Sequence, residues 1–357
     1  MTNYQSWKPA KYWQKTGKGD GALEATIQDI AKRVGLSTST VSRALNGSYG
    51  VHPRTAAKVQ QAAAELGYVP NLGAKQLVTR KSNLIGVFMP ELDNEFVREY
   101  DELFAPLRKA LRLIGKDMLI FSIPVYDYKP NSLSQWVGMR NLEGCIFMQP
   151  FGKEHPLMKG ALRLKVPAVS LGESIGFKCS LVMSDNYEGG RLIGQHLTQL
   201  GHRKIGYVNG PANLPFSQER YKGFCDALRE AGIEHEPRLL EAGDFSGSSG
   251  VHAARLLLAR APELTAISCA NDLMAMGVLQ ELHRSGIAVP GSISVTGYDG
   301  AYFTAYTSPP LTTIRHRSDR IGLLAAELLI ELLHGGNART VRLAPELVVR
   351  ESVAAIH

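Results

Sequence analysis

From Leu84 onward the chain repeats a short apolar run followed by a longer amphipathic stretch, and this alternation constrains the fold more than any other feature. LIGVFMP (84–90), DMLIFSI (117–123), GCIFMQP (144–150), PAVSLGE (167–173) and SLVMSD (180–185) are apolar almost throughout. Runs of that kind read as strands covered on both faces, the habit of parallel sheets. KIGYVNG (204–210), RLLEAGDF (238–245), AISCAND (266–272) and ISVTGYDG (293–300) continue the rhythm, and stretches such as 188–200, 218–231 and 318–333 have the length and period of crossover helices. A single open sheet rarely grows beyond about ten strands, so residues 84–357 fit two doubly wound α/β lobes better than one. We expect lobe 1 at about 84–184 and 312–340, and lobe 2 at about 185–311 and 341–357.

The front of the chain differs in charge and in pattern. Residues 1–83 hold 12 basic and 4 acidic side chains, whereas the rest holds 28 and 29, so the whole net charge of +7 sits at the front. Such asymmetry points to a polyanion partner for the front and a neutral body behind it. Residues 1–21 mix Lys, aromatics and Gly without a period and read as a flexible basic arm. Within 22–70, Thr26 can cap a helix carrying Ile27, Ile30, Ala31 and Val34 on one face, which Gly35 ends. Ser37 can cap a second helix with Val41 and Leu45 inward, and a third starts near Pro53 with Ala56, Val59, Ala63 and Leu66 on one face. Residues 71–83 follow as a linker that opens with a fourth, marginal segment, 71–78, too short and too Gly-marked at Gly73 to be helical alone.

The second helix is crowded with Ser and Thr, which are poor helix formers. Helix, turn and a second helix with exposed hydroxyls is the geometry of a helix-turn-helix, whose second helix enters the DNA major groove. Small hydroxyl side chains allow close approach to bases and phosphates while hydrogen-bonding both. Thr38 and Ser39 sit at its tip, and Arg43 can reach a guanine or a phosphate one turn on.

The text TIQDIAKRVGLSTSTVSRALNG, followed by V-x-P-x-T and LGYVPN, closely resembles the N-terminal signature of the lac repressor (LacI/GalR) family. GHRKIGYVNGP, ERYKGF, CANDLMAMGVLQEL, ISVTGYDG and PPLTTI resemble the effector-binding body of the same family, so the likeness runs from about Thr26 to the C-terminus. It implies a helix-turn-helix headpiece on a two-lobe body like that of periplasmic binding proteins. By position, it implies that Thr38, Ser39 and Arg43 read bases and that Thr40, Ser42, Asn46 and Thr55 hold phosphates. It further implies a hinge helix at 71–78 that orders on the operator and offers Leu77 to the minor groove. An apolar wedge can unstack a base step and bend the duplex, which agrees with that role.

Ligands of parallel α/β lobes bind beyond the carboxyl ends of strands. Asn271 and Asp299 stand at such ends, and Arg220 opens a helix after a Pro-rich loop. The resemblance makes these three effector ligands, with Phe245 stacking on the effector and 92–96, including Phe96, as the wall of the opposing lobe; Gln149 is a further candidate there. An amide, a carboxylate and a guanidinium suit sugar hydroxyls, so a sugar or sugar derivative is the expected effector, with a purine or a sugar phosphate left open. Asp272 is expected to cap the helix after it, and His196, His202 and His316 to be structural or at the surface.

These readings make the chain a sequence-specific DNA-binding regulator, a repressor by the resemblance, relieved by its effector rather than activated as a corepressed protein. It is expected to be cytoplasmic, to bind pseudo-palindromic operators as a homodimer, and to lack the C-terminal leucine heptads of a tetramer. No run reaches the roughly 18 apolar residues of a membrane span, and Cys145, Cys179, Cys225 and Cys269 show no metal or redox spacing. The rival functions are an α/β enzyme and a solute-binding protein using the same two lobes. Against the first there is no Gly-x-Gly-x-x-Gly, Walker loop, Gly-x-Ser-x-Gly elbow or metal-spaced His cluster, so no catalytic residue, cofactor or metal is expected. Against the second, the basic front and its Ser/Thr helix would be left without a purpose.

Overall fold

The structure, a computed structural model, describes residues 25–45, 50–69, 81–91, 97–124, 133–176 and 178–356, with the backbone alone for 97–101. It divides into two compact units, the first ending at Lys81 and the second starting at Ser82. The arm 1–21, the hinge 71–78 and, with them, the expected roles of Asn46, Leu77 and Phe96 lie outside the described residues.

The first unit holds α1 (Ile27–Val34), α2 (Thr38–Leu45) and α3 (Pro53–Glu65). Thr26 and Asp29 cap α1 reciprocally: the Asp29 N–H donates to Thr26 Oγ1 at 3.3 Å, and the Thr26 N–H donates to Asp29 Oδ2 at 2.9 Å. Ser37 Oγ accepts the Thr40 N–H at 3.2 Å and so starts α2. Ile30, Val41 and Val59, one from each helix, meet in a core completed by Ala31, Val34, Ala44, Ala62 and Ala63. Leu66 does not join them. It caps the end of α3 and is exposed, because the helix stops at Glu65 and Ala62 takes the inward position beside Ala63. Lys58 Nζ donates to the Val34 carbonyl at 3.2 Å, setting a cation at the negative C-terminal end of the α1 dipole.

The body contains two six-stranded sheets. The first joins β1 (Leu84–Pro90), β2 (Asp117–Ile123), β3 (Gly144–Phe147), β4 (Ala168–Ser170), β5 (Cys179–Ser184) and β11 (Thr340–Leu343) in the order β11-β5-β4-β3-β1-β2, all parallel. The second joins β6 (Ile205–Asn209), β7 (Leu240–Ala242), β8 (Ala266–Cys269), β9 (Ser294–Asp299), β10 (Thr312–Arg315) and β12 (Glu346–Val348) in the order β12-β10-β9-β8-β6-β7, with β12 alone antiparallel. All nine strand runs read from the sequence are strands. The lobe boundaries shift, however: β10 belongs to the second sheet although 312 was expected to open the return to lobe 1, and β11 closes the first sheet although 341 was expected in lobe 2. These strands are short, and β11 and β12 are half-exposed edges whose polar residues give no apolar run to read. The chain therefore crosses between lobes three times, at 184–186, 315–318 and 343–346.

Helices α4 (Val97–Leu113) and α11 (Ser318–Leu333) cover one face of the first sheet through Leu103, Leu107, Leu111, Ala325 and Leu329. Helices α5 (Leu133–Arg140) and α6 (Pro156–Ala161) cover the other. Around the second sheet lie α7 (Asn186–Gln199), α8 (Pro215–Glu230), α9 (Gly247–Arg260) and α10 (Asp272–Arg284). Helices α7 and α8 cross with backbones in contact, since a Cβ on Gly190 would lie 2.0 Å from the Arg220 carbonyl oxygen. Among the described residues no helix is long and apolar enough to cross a membrane, and the four cysteines are free thiols.

Candidate functional site

In the headpiece, α2 turns Val41 and Ala44 into the core and leaves Thr38, Ser39 and Arg43 exposed on the opposite side, with Thr40 and Ser42 half-buried at the margins. The hydroxyls of Ser39 and Thr40 lie 2.9 and 2.8 Å from that of Ser37, a chain of short polar groups along the helix tip. No acidic residue stands in the first turn, so the positive end of the helix dipole faces outward undiminished. Thr55 stands in the first turn of α3 and is half-buried. The face can donate to phosphates and reach base edges; its low helix propensity is offset by the packing of Val41 and Ala44.

In the body, the carboxyl ends of β8, β9 and β10 converge on Arg220. The side chain is almost fully buried, and nearly all its donors are engaged. Nε donates to Asn186 Oδ1 at 3.0 Å, Nη1 to the Ala270 carbonyl at 2.5 Å, and Nη1 pairs with Asp299 Oδ1 at 3.1 Å. The guanidinium carbon sits 3.8 Å over the Tyr298 ring and 5.3 Å from that of Phe216. Phe216 in turn stacks on Phe245, centroids 5.7 Å apart and planes 18° from parallel. Burial and the neighbouring acids raise the Tyr298 hydroxyl, with Arg220 acting the other way. Phe245 and Asp299 both hold positive φ, 71° and 112°, a conformation that non-glycine residues adopt only when their surroundings impose it.

Arg220, Asp299 and Phe245 are thus brought together as expected. Arg220 does not pair with Glu219 or Asp226 on its own helix. Asn271 is close by, but its side chain is committed: Oδ1 accepts the Met274 N–H at 2.9 Å as the N-cap of α10, and Nδ2 donates to the Phe245 carbonyl at 3.0 Å. The expected cap, Asp272, is instead the first helical residue and is buried. Gln149 lines the space between the lobes and donates to the Leu171 carbonyl at 2.7 Å.

Two residues of this site were not expected. His316 Nε2 lies 3.2 Å from Arg220 Nη2 and 3.3 Å from Asp299 Oδ1, so one nitrogen faces a donor and an acceptor. Its Nδ1 is buried without a hydrogen-bond partner among the described residues, as are Ser184 Oγ and Ser217 Oγ. Buried polar atoms of that kind call for a partner. Asn186 holds Arg220 from the head of α7. His316 directly follows a strand, but β10 is four residues with a single apolar one and gives no apolar run to read; Asn186 carries no signal in the sequence. His202 is buried and structural, bonded to Thr265 and to the Ala354 carbonyl, and His196 is half-buried in α7.

Residues 26–71 match the bacterial regulatory proteins of the lacI family, and residues 195–353 match a periplasmic binding protein-like domain. Over 334 residues the chain is 33% identical to the HTH-type transcriptional regulator CelR of Thermobifida fusca, spanning 92% of this chain and 98% of that protein. The chain belongs to the lacI family. It is also 30% identical to the HTH-type transcriptional repressor PurR of Mannheimia succiniciproducens, over 93% of this chain and 99% of that one. Among solved structures it is similar to the lac repressor dimer bound to operator and the anti-inducer ONPF, with TM-score 0.82, 28% identity, and 93% and 100% of the two chains covered. The CelR–cellobiose complex matches with TM-score 0.71 and 31% identity over 92% and 100%. This lacI-family chain is a DNA-binding transcriptional regulator, and the enzyme and solute-transport alternatives are set aside.

Proposed function

We propose that the protein is a cytoplasmic repressor that binds a pseudo-palindromic operator as a homodimer and is released by an oligosaccharide, with a β-linked disaccharide such as cellobiose as the first candidate. The observation that carries this reading is the Arg220–Asp299 pair set beside the stacked Phe216 and Phe245 rings at the strand ends. Charged groups that donate and accept suit sugar hydroxyls, and aromatic faces suit the apolar faces of pyranose rings. The likeness to the CelR–cellobiose complex supports it. Arg220, Asp299, Phe245 and Asn271 would contact the sugar, joined by Phe96 from the first lobe. Thr38, Ser39 and Arg43 would read bases, Thr40, Ser42, Asn46 and Thr55 would hold phosphates, and Leu77 would wedge the minor groove.

The cavity between the lobes, lined by Gln149, Phe151, Glu173 and Leu214–Phe216, measures about 20 Å³, room for about one water. A sugar held by Arg220 and Asp299 on one lobe and by the facing wall of the other would tie occupancy to lobe arrangement. The effector can change operator affinity only through its differential affinity for the two arrangements.

Two measurements test this. Selection from a random DNA pool should return a two-half-site sequence whose affinity falls steeply with salt, by about 0.9 log units per phosphate contact for each log unit of salt. A thermal-shift series should show cellobiose raising the melting temperature. A shift with purine bases and none with sugars would replace the sugar reading by a purine one, the alternative left open by the sequence.

A further inference from the structure

Asp272 is 1% exposed and lies outside the set of effector contacts. Its carboxylate touches three elements that build the cleft. It stands at the N-terminal end of α10, where the helix dipole favours a negative charge. Oδ2 accepts the Ala301 N–H at 2.7 Å, and Oδ1 accepts the Thr313 hydroxyl of β10 at 2.6 Å. Space for it is made in β9 by the missing side chain of Gly297, where a Cβ would lie 2.1 Å from Oδ1. Arg350 supplies a nearby positive charge while bonding Thr304 and the Leu311 carbonyl. A carboxylate is kept in such a place only when donors surround it.

One of those donors, the Ala301 N–H, comes from the turn that carries Asp299, and the other, the Thr313 hydroxyl, is itself bonded by that turn. Asp299 has φ 112° and Gly300 φ 74°, two successive residues in the left-handed half of backbone space. Both amides that follow Asp299 run to Asp272. Ala301 N–H donates to it directly, and Gly300 N–H donates at 3.3 Å to Thr313 Oγ1, whose own proton goes to Asp272. The hydroxyl's alternative acceptor, the Ile314 carbonyl, is at 3.4 Å and is the weaker one. The relay therefore has a fixed direction that ends on an acceptor at 272. The preceding residue acts in parallel: Asn271 Nδ2 holds the carbonyl of Phe245, the other cleft residue with positive φ.

We propose that Asp272 is the positioning residue for effector recognition. It clamps the turn after β9 so that Asp299, in a conformation it would not otherwise keep, meets Arg220 and His316, and it does so without touching the effector. This inference rests on the Arg220–Asp299 cleft being the effector site.

The test uses the full-length protein and cellobiose as the probe, measured by calorimetry, alongside affinity for a selected operator duplex without sugar. Asp272→Asn and Thr313→Val should each weaken cellobiose binding by about tenfold or more, the scale of a lost hydrogen bond to a charged group. Thr313→Ser, which keeps the hydroxyl, should restore it, and operator affinity should stay at the wild-type value in all three. Combined with Asp299→Asn, Asp272→Asn should add nothing, since it acts through Asp299. Wild-type cellobiose affinity in Asp272→Asn, or full multiplication of the two losses, would overturn the proposal. If Asp272→Asn does not fold, the Val and Ser variants at 313 decide. If the wild type binds no cellobiose, the disaccharide reading fails by itself. The crystal structure of the sugar-free Asp272→Asn or Thr313→Val protein then decides: loss of the positive φ at Asp299 and of its pairing with Arg220 supports the proposal, and their retention overturns it.

Discussion

Replacing Gly190 by Ala should disturb the effector cleft without adding or removing a single polar group. The added Cβ would lie 2.0 Å from the Arg220 carbonyl oxygen and 2.9 Å from the Phe224 amide nitrogen, and Gly223 meets Tyr187 as closely from the other side. Ordinary contact begins near 3.4 Å, so α7 and α8 must part by about 1 Å or more. The obstacle is backbone, and no rotamer change relieves it. Overpacking a core costs about 1–3 kcal/mol, and the upper end applies here. The helix-propensity gain of Ala over Gly, about 1 kcal/mol, offsets part, leaving about 2 kcal/mol of net loss. That is a sizeable share of the roughly 5–15 kcal/mol that holds a domain together. The same displacement stretches the 3.0 Å bond from Arg220 Nε to Asn186, because the two residues sit on the two parted helices. Urea unfolding followed by circular dichroism reads the first effect, and sugar affinity reads the second. Gly138→Ala is the control: Gly138 is exposed in α5 with nothing within 4 Å of its added Cβ, so the change should be neutral or stabilise by about 0.5–1 kcal/mol. Equal midpoints for the two variants would refute the reasoning.

The remaining predictions concern the headpiece and the pH response. Thr26→Ala removes half of a capping box and should cost the headpiece about 1 kcal/mol, read as an earlier melting of helical signal; an unchanged melt would remove the cap from the account of α1. Exchanging Thr38 or Ser39 for Gln should change which half-site is recovered from a random pool, by about 1–3 kcal/mol of discrimination at one base step, and an unchanged consensus would take both out of the reading set. Burial holds the His202 imidazole below its ordinary value of 6.5, with the Ala354 carbonyl pulling partly the other way. Above that value neither the folded nor the unfolded ring carries a proton and the stability is fully present. As pH falls through it the unfolded chain takes up a proton that the folded one resists, so stability is lost toward the folded pKa. His202→Gln should reduce this slope in urea titrations, in part because His196 and His235 are lowered as well; an identical slope would exclude His202 as a contributor.

The sequence by itself determined everything that depends on local pattern. Apolar runs with turn residues between them marked nine strands, because burial on both faces leaves few polar positions in a parallel strand. The Ser and Thr of α2 stood out because hydroxyls are unfavourable in a helix, and they lie on the outer side once Val41 and Ala44 are buried. Asn271 and Asp299 stood out because parallel lobes place ligands at strand ends, whereas Arg220 and Phe245 were singled out by the resemblance to the family. The tertiary structure decided which strand ends meet. Arg220 reaches His316 across 96 positions and Asn186 across 34, separations over which no periodicity carries information. The neighbours Asn271 and Asp272 are both polar and both suited to capping a helix. Only the packing of β9 against α10, with Gly297 leaving room for one carboxylate, assigned the cap to the first and the buried clamp to the second. Local chemistry supplies the candidates, and long-range packing chooses among them, since only there does the cost of burying a charge get weighed against the donors the rest of the chain brings to it.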